Sequence, residues 1–333
     1  MNIFLTVVLA LTGLLVLAAA LCAMFTLFTA RKVAALLPPK GEFVEVAGAR
    51  LHLRDTRGKG PPILMIHGLG GQLAHFTYAV TGRLSGRFRV VAVDRPGCGW
   101  STRAAGADLP TQAAALAALI DRLGLERPLV VGHSLGGAVA LALALDHPDK
   151  VGGLALLAPL THIQEHVPPV FKGLTIASPR LRKLVAWTLA IPASITGSAK
   201  TLEQVFGPEA VPKDFATRGG GLLALRPSAF LAASEDLQAL PASLPAQEAR
   251  YGRLRVPLGI LYGKDDRILD WRANGQALAA KVTGARFELI EGGHMLPITS
   301  PAACADFIAA MAQLISMDMG MGKADQQAAG GAR

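Results

Sequence analysis

The sequence predicts a doubly wound α/β domain with a mostly parallel sheet, a helical lid insertion and one N-terminal transmembrane helix. Three observations carry this. Apolar runs of buried-strand type, PPILMIHG, FRVVAVD, PLVVGHS, GLALLAP and PLGILYG, recur along the chain, and helical stretches such as 111–123 and 137–145 separate the first four. Strands that read apolar on both faces and alternate with helices belong to a parallel sheet covered on two sides. That rhythm fails between 160 and 253, where short Pro-punctuated helical pieces replace it, and residues 3–29 carry no charged side chain at all. With 333 residues, 51% hydrophobic and 17% charged, the chain can bury one catalytic-size core and still hold an insertion and a tail.

Taken in order, the first element is IFLTVVLALTGLLVLAAALCAMFTLFT, residues 3–29. As a helix it is about 40 Å long, more than the roughly 30 Å of a bilayer's hydrocarbon, so tilt or an interfacial end is expected. A cleaved secretory signal fits poorly. No basic residue precedes Ile3, the apolar run continues past Ala18 and Ala20 to Phe28, and Leu21 spoils a lipoprotein box before Cys22. Arg31, Lys32 and Lys40 follow the helix and none precedes it, which places the rest of the chain in the cytoplasm as a single-pass membrane protein. The anchor is read as 1–30 and a linker as 31–40. LLPPKGE then breaks the chain, and EFVEVAGARLHLR, 42–54, alternates around a Gly turn as an antiparallel hairpin does.

The core is read as 41–159 and 254–315, and the helical lid as 160–253, with pieces SPRLRKLVAWTLAIP, AKTLEQVFG and FLAASEDLQAL. Strand character resumes at VPLGILYG and RFELI, a last helix runs from Ala302 to about Ile315, and 316–333 reads as a disordered tail. Three cysteines, Cys22 among them in the membrane run, make neither a disulfide framework nor a metal-ligand spacing, which fits a reducing compartment. The net charge of +9 comes from scattered basic residues without interleaved aromatics. That excludes nucleic acid as a partner and fits solubility and anionic lipid near the anchor.

The chemistry starts at GHSLGG, 132–137, between a β-branched strand and an Ala-rich helix. Gly-x-Ser-x-Gly in that context is a sharp strand-to-helix turn that exposes the serine hydroxyl above the sheet, at a helix N-terminus favouring negative charge. A serine is a weak nucleophile and needs a base oriented by an acid. His294, in the Gly/Pro-rich loop ELIEGGHMLPITSP, follows a strand late in the chain, as the order Ser, acid, His requires. The acid belongs on the loop after LGILYG, where Asp265, Asp266 and Asp270 stand; Asp266, three residues after Gly263 and followed by Arg-Ile-Leu, fits the turn. HGLGG, 67–71, offers the Leu69 N–H beside that of Leu135 as an oxyanion hole. His52, His75, His147, His162 and His166 read as structural. His162 and His166 have helical metal spacing but no third ligand, and neither metal nor organic cofactor is required.

HGLGG, DRPGCGWS (94–101), GHSLGG, GKDDRI and GGHMLP resemble, in order and spacing over about 41–315, the α/β-hydrolase-fold serine hydrolases. That resemblance implies a structural turn at 94–101 and a lid over the substrate pocket at 160–253. The membrane-anchored layout resembles monoacylglycerol lipases and related esterases, whereas dehalogenases and epoxide hydrolases carry an aspartate where Ser134 stands. The expected activity is hydrolysis of apolar or lipid-derived esters through an acyl-enzyme, with no obligate protein partner. The lid residues Phe171, Trp187, Phe206, Phe215 and Phe230 suit an apolar pocket, and RLRK, 180–183, suits a membrane-side entrance. C–C bond hydrolysis or perhydrolysis with the same triad, or an inactive membrane-tethered binding protein, are the competing readings.

Overall fold

The computed structural model describes residues 3–103 and 105–330, with only the backbone of 316–330. One eight-stranded sheet has the order β1-β2-β4-β3-β5-β6-β7-β8. The strands are β1 (Glu42–Val46), β2 (Ala49–Asp55), β3 (Pro62–Ile66), β4 (Arg89–Val93), β5 (Leu129–His133), β6 (Gly153–Leu157), β7 (Leu258–Gly263) and β8 (Arg286–Ile290). The helices are α1 (Ile3–Leu36), α2 (Ala74–Thr77), α3 (Val80–Leu84), α4 (Leu109–Leu123), α5 (Leu135–Asp146), α6 (Pro179–Trp187), α7 (Ala190–Phe206), α8 (Pro227–Glu248), α9 (Ala277–Lys281), α10 (Leu296–Thr299) and α11 (Pro301–Gly330).

The expected hairpin forms: β1 and β2 pair antiparallel across Ala47 and Gly48, both at positive φ (46° and 77°). That backbone matches the right-handed twist of the flanking strands. β2 runs antiparallel to β4, and every remaining pair is parallel. The doubly wound pattern can be read residue by residue. Leu64 and Ile66 of β3 join the core under α4 and α5, while Ile63 and Met65, facing the other way, join the core under α3 and α11. Each fully buried aliphatic side chain of this kind stabilises by about 1.5–3 kcal/mol, so both faces of these strands hold the helices.

α4 begins two residues before the expected 111 because Asp108 caps it, accepting from the Thr111 N–H at 2.9 Å, and it ends at Gly124 in the left-handed region (φ 59°). α5 is buried along 135–144. Small side chains at Ala138, Ala140, Ala142 and Ala144 let it lie deep between sheet and lid. The insertion between β6 and β7 is helical, as the lid reading expects: α6, α7 and α8 carry it, and α8 continues through Pro241 and Pro245.

Two boundaries differ from the expectation. α1 runs on through Arg31 and Lys32 to Leu36, into the segment read as a linker, because no helix breaker occurs before Pro38. α11 does not end near Ile315; helical backbone continues to Gly330 where a disordered tail was expected. The Ala, Met, Lys and Gln of that stretch are strong helix formers and outweigh its two interior glycines. Residues 1–2 of the anchor and 331–333 of the tail lie outside the described residues. α1 is the helix, among the described residues, that is long and apolar enough to cross a membrane. Its foot packs against α6 and α7 of the lid, where Thr26 and Val33 are buried.

Leu156 is fully buried beside the strand that carries Ser134. Leu156→Ala is expected to destabilise by about 2–5 kcal/mol, against about 1 kcal/mol for removing the Asp108 cap with Ala, read as the drop in melting temperature of each variant.

Candidate active site

Ser134 leaves β5 and caps α5 with φ 54° and ψ −124°, a positive-φ conformation that a non-glycine residue adopts at a cost of about 1–3 kcal/mol. The neighbouring glycines permit it by having no side chain. A Cβ on Gly132 would lie 2.5 Å from the Gly136 carbonyl oxygen, and one on Gly136 would overlap the carbonyl oxygen of Ile66. Hydrogen bonds then pin the turn: the Ser134 N–H donates to the Leu157 carbonyl (3.1 Å), and its own carbonyl accepts from Gly137 (2.8 Å) and Leu160 (2.9 Å). The hydroxyl faces the HGLGG turn, since a Cβ on Gly68 would lie 3.2 Å from Ser134 Oγ.

Of the three candidate acids, the loop after β7 turns one inward. Asp266 Oδ1 accepts from the backbone N–H groups of Ile268 (2.8 Å) and Leu269 (2.9 Å), which leaves Oδ2 to accept from His294 Nδ1 at 2.7 Å. The Asp266 side chain has no exposed surface, whereas Asp265 and Asp270 are exposed. His294 is fixed from a second direction. Its carbonyl accepts from His133 Nε2 at 2.9 Å, and the two rings stand 5.0 Å apart, so the imidazole loop is tied to the residue before Ser134. No hydrogen bond joins Ser134 Oγ to His294 among the described residues. In unliganded sites that contact is often open and tightens with substrate.

The turn expected to carry the oxyanion hole is held by a buried network that sequence reasoning missed. The Arg95 guanidinium, fully buried, donates to the carbonyls of His67 (2.9 Å) and Gly68 (3.0 Å), to Gln112 Oε1 (2.7 Å) and to Asp236 Oδ2 (2.7 Å) of α8. Arg103 donates to the other Asp236 oxygen at 2.6 Å. The lid helix and the turn containing Leu69 are thereby one unit. Leu135 lies at the start of α5, where N–H groups have no partner inside the helix. Asp94 braces the same region, as the resemblance implies for 94–101: its carboxylate accepts from the N–H groups of Leu73 (2.7 Å) and Trp100 (2.8 Å) and from His52 Nδ1 (2.8 Å). A second lid contact, also missed, comes from Glu209, whose two oxygens accept from the Gly293 N–H at 3.1 Å, next to His294.

The other residues singled out from the sequence scatter. Phe206 and Phe215 meet edge to face at 4.8 Å and pack on Met295 and Ile298 of the His294 loop. Trp187 stands 39% exposed on the outer face of the lid. Within RLRK, Arg182 is buried and braces the lid by donating to the Ile176 carbonyl, while Arg180 and Lys183 are exposed. His162 bonds Thr161 and Lys281, His166 is exposed, and no group of three metal-ligating side chains occurs among the described residues. His52 bonds Asp94, and His147 follows the last turn of α5. His75 stands against the HGLGG turn, near His294.

A serine on a strained strand-to-helix turn, a buried carboxylate–imidazole pair and a lid define a hydrolase class. The chain belongs to the alpha/beta hydrolase fold family, whose model matches residues 61–301. It is 30% identical over 243 residues to a 2-hydroxy-6-oxononadienedioate/2-hydroxy-6-oxononatrienedioate hydrolase of Pseudomonas putida, covering 69% of this chain and 80% of that one. It is 39% identical over 120 residues to the dihydrolipoyllysine-residue acetyltransferase component of an acetoin cleaving system of Cupriavidus necator, a match that spans 36% of this chain but only 32% of that relative. The crystal structure of a membrane phospholipase A, described as a bacterial virulence factor, superposes with a TM-score of 0.67 at 24% identity over 94% of this chain and 97% of that one. At that identity the likeness is one of fold.

Asp236→Ala leaves the Arg95 charge buried without its carboxylate and is expected to cost about 3–5 kcal/mol, seen as a lowered melting temperature. A pH dependence follows from two buried histidines. Burial, and then the Arg95 charge, holds the His67 pKa well below 6.5; burial, and then His294, does the same for His133. The unfolded chain therefore binds more protons than the folded one as pH falls through 6.5. Their stabilising contribution is complete above about pH 6.5 and lost below it, so thermal melts are expected to show stability falling from about pH 7 toward pH 5.

Proposed function

We propose that the protein is a serine esterase that cleaves apolar, lipid-derived carboxylic esters through Ser134, His294 and Asp266. The observation that carries this reading is the 2.7 Å Asp266–His294 pair, whose histidine is tied by His133 to the residue before the strained Ser134. In the proposed cycle His294 Nε2 takes the Ser134 proton as Oγ attacks the ester carbonyl. Asp266, accepting from Nδ1–H, holds the imidazole in the tautomer that can do this and stabilises the cation that forms. The Leu69 and Leu135 N–H groups receive the oxyanion, each worth about 3 kcal/mol of transition-state stabilisation. His294 then protonates the leaving alkoxide, and in the second half activates water to release the acid from the acyl-enzyme. With Ser134 8% and His294 4% exposed, the lid shields these charges from solvent.

The lipid-derived substrate is supported by the surface around α1. The helix exposes apolar side chains from Ile3 to Phe28, and beside its foot the lid exposes Leu181, Leu184, Trp187 and Leu189 with the basic Arg180 and Lys183. In this reading α1 spans the bilayer, Arg31, Lys32 and Lys40 keep the catalytic domain on the cytoplasmic side, and the substrate reaches the lid from the membrane plane. A second reading, hydrolysis of a C–C bond by the same residues, is favoured by the relative from Pseudomonas putida with that kind of name.

A fluorophosphonate probe is expected to label the wild type in the membrane fraction and to leave Ser134→Ala unlabelled; an unlabelled wild type would sink the reading. Asp266→Asn is expected to lower kcat about 10⁴-fold, since the wrong tautomer then faces the serine. Turnover of a chain-length series of p-nitrophenyl esters, compared with that of a meta-cleavage dienone, separates ester from C–C hydrolysis.

A further inference from the structure

His75 is half-buried between the HGLGG turn and the lid residue Phe215, with a ring nitrogen that the protein itself does not use. α2 follows directly on the HGLGG turn and carries the ring back over it, so that a Cβ on Gly71 would lie 2.9 Å from both Cε1 and Nδ1 of His75. From the other side the lid residue Phe215 closes on the ring, with centroids 6.0 Å apart and planes tilted by 43°. His75 Nδ1 is buried and has no hydrogen-bond partner among the described residues. The polar groups beside it are committed elsewhere. Gln72 donates to the Gly219 carbonyl (2.8 Å) and accepts from the Ala74 N–H (2.7 Å), and the Tyr78 hydroxyl donates to Asp214 (2.6 Å).

A buried nitrogen left unpaired costs free energy that phenylalanine or leucine at the same place would not. His52 Nε2 and His133 Nδ1 are unpaired as well, but those rings are fully enclosed, and of the three only His75 keeps exposed surface that a ligand could reach. The charge state narrows the ligand's chemistry. Burial, and then the neighbouring imidazole of His294, lowers the His75 pKa to about 4, so at neutral pH the ring is uncharged and offers one N–H and one lone pair. Such a group matches an uncharged oxygen better than a carboxylate or phosphate.

Resting on the esterase reading above, we propose that His75 is a substrate-recognition residue whose Nδ1 hydrogen-bonds a second, uncharged oxygen of the ester, apart from the scissile group. The substrate is then an apolar ester that also carries a hydroxyl, ether or keto oxygen near the reacting carbonyl. An enzyme that leaves this nitrogen unpaired with a purely hydrocarbon ester discriminates against it, because a site built for a hydrogen bond loses that bond with the analogue lacking the oxygen.

The test uses the full chain in detergent micelles and two isosteric pairs of esters. p-Nitrophenyl methoxyacetate against p-nitrophenyl butyrate places the extra oxygen on the acyl side; 2-hydroxyethyl against propyl hexanoate places it on the alcohol side. Comparing each variant with the wild type on the same ester cancels intrinsic reactivity. His75→Phe is expected to lower kcat/KM for the oxygen-bearing member of one pair about tenfold more than for its methylene isostere, the loss of one hydrogen bond. His75→Asn, whose amide places a polar atom near Nδ1, is expected to restore part of the difference, and the responding pair identifies the side of the substrate. Equal losses on both members of both pairs, or no loss, would overturn the proposal; if thermal melting finds His75→Phe unfolded, His75→Leu is read in the same way. Fluorophosphonate labelling is run alongside. Labelled wild type without a selective loss sinks only the role of His75, whereas unlabelled wild type sinks the esterase reading and this proposal with it.

Discussion

The backbone at Ser134 is the constraint on which the rest of the molecule depends. A serine at φ 54° persists because its surroundings leave it no alternative: strand β5 enters from one side, α5 departs on the other, and the Leu157, Gly137 and Leu160 backbones bond it in place. The close approach of α5 to β3 needs Gly136, and the tight exit of β5 needs Gly132. The parallel sheet supplies the rigidity behind this turn. β5 lies between β3 and β6, buried on both faces, so the strain is held by strands buried in the core.

Around that turn the helical insertion is bonded to the segments that carry the candidate site. Asp236 reaches the HGLGG turn through Arg95, Glu209 reaches the His294 loop through Gly293, and Gln72 and Tyr78 are joined to the lid segment 214–219. These contacts are polar, buried or half-buried, and directional, so they fix the position of the lid in a way that apolar packing alone does not. The arrangement also explains why four histidines, 67, 75, 133 and 294, can gather in one place. Burial is the first cause that lowers the pKa of His67, His75 and His133, so these three rings do not compete with His294 for the charge of Asp266.

The lid also meets α1, and this joins the two halves of the proposed function. A helix of 34 residues is about 51 Å long, so in the proposed reading a span of about 20 residues leaves its last turns outside the hydrocarbon, where Thr26 and Val33 are buried against the protein. The outer face of α6 and its exposed leucines then lie at the level where a bilayer would end.

Much of this was legible in the sequence, because much of it is local. The doubly wound sheet follows from apolar runs of strand length, the hairpin from alternation around Ala47 and Gly48, and the elbow from two glycines flanking one serine within five residues. Asp266 could be separated from Asp265 and Asp270 because the turn that points it inward is built from its own neighbours, Ile268 and Leu269. Arg95 and Asp236 are 141 residues apart, and no spacing or periodicity pairs them. The same holds for Glu209 with Gly293 and for the arrival of Phe215 on His75. Helix ends misled for the opposite reason: α1 and α11 run past their expected limits because local helix propensity continues where a domain boundary was assumed. The sequence by itself determined the elements and the residues each one presents, since side-chain periodicity and turn chemistry act over a few residues. Only the tertiary structure decided which buried charges meet and which nitrogens are left unpaired, since those depend on how distant elements pack.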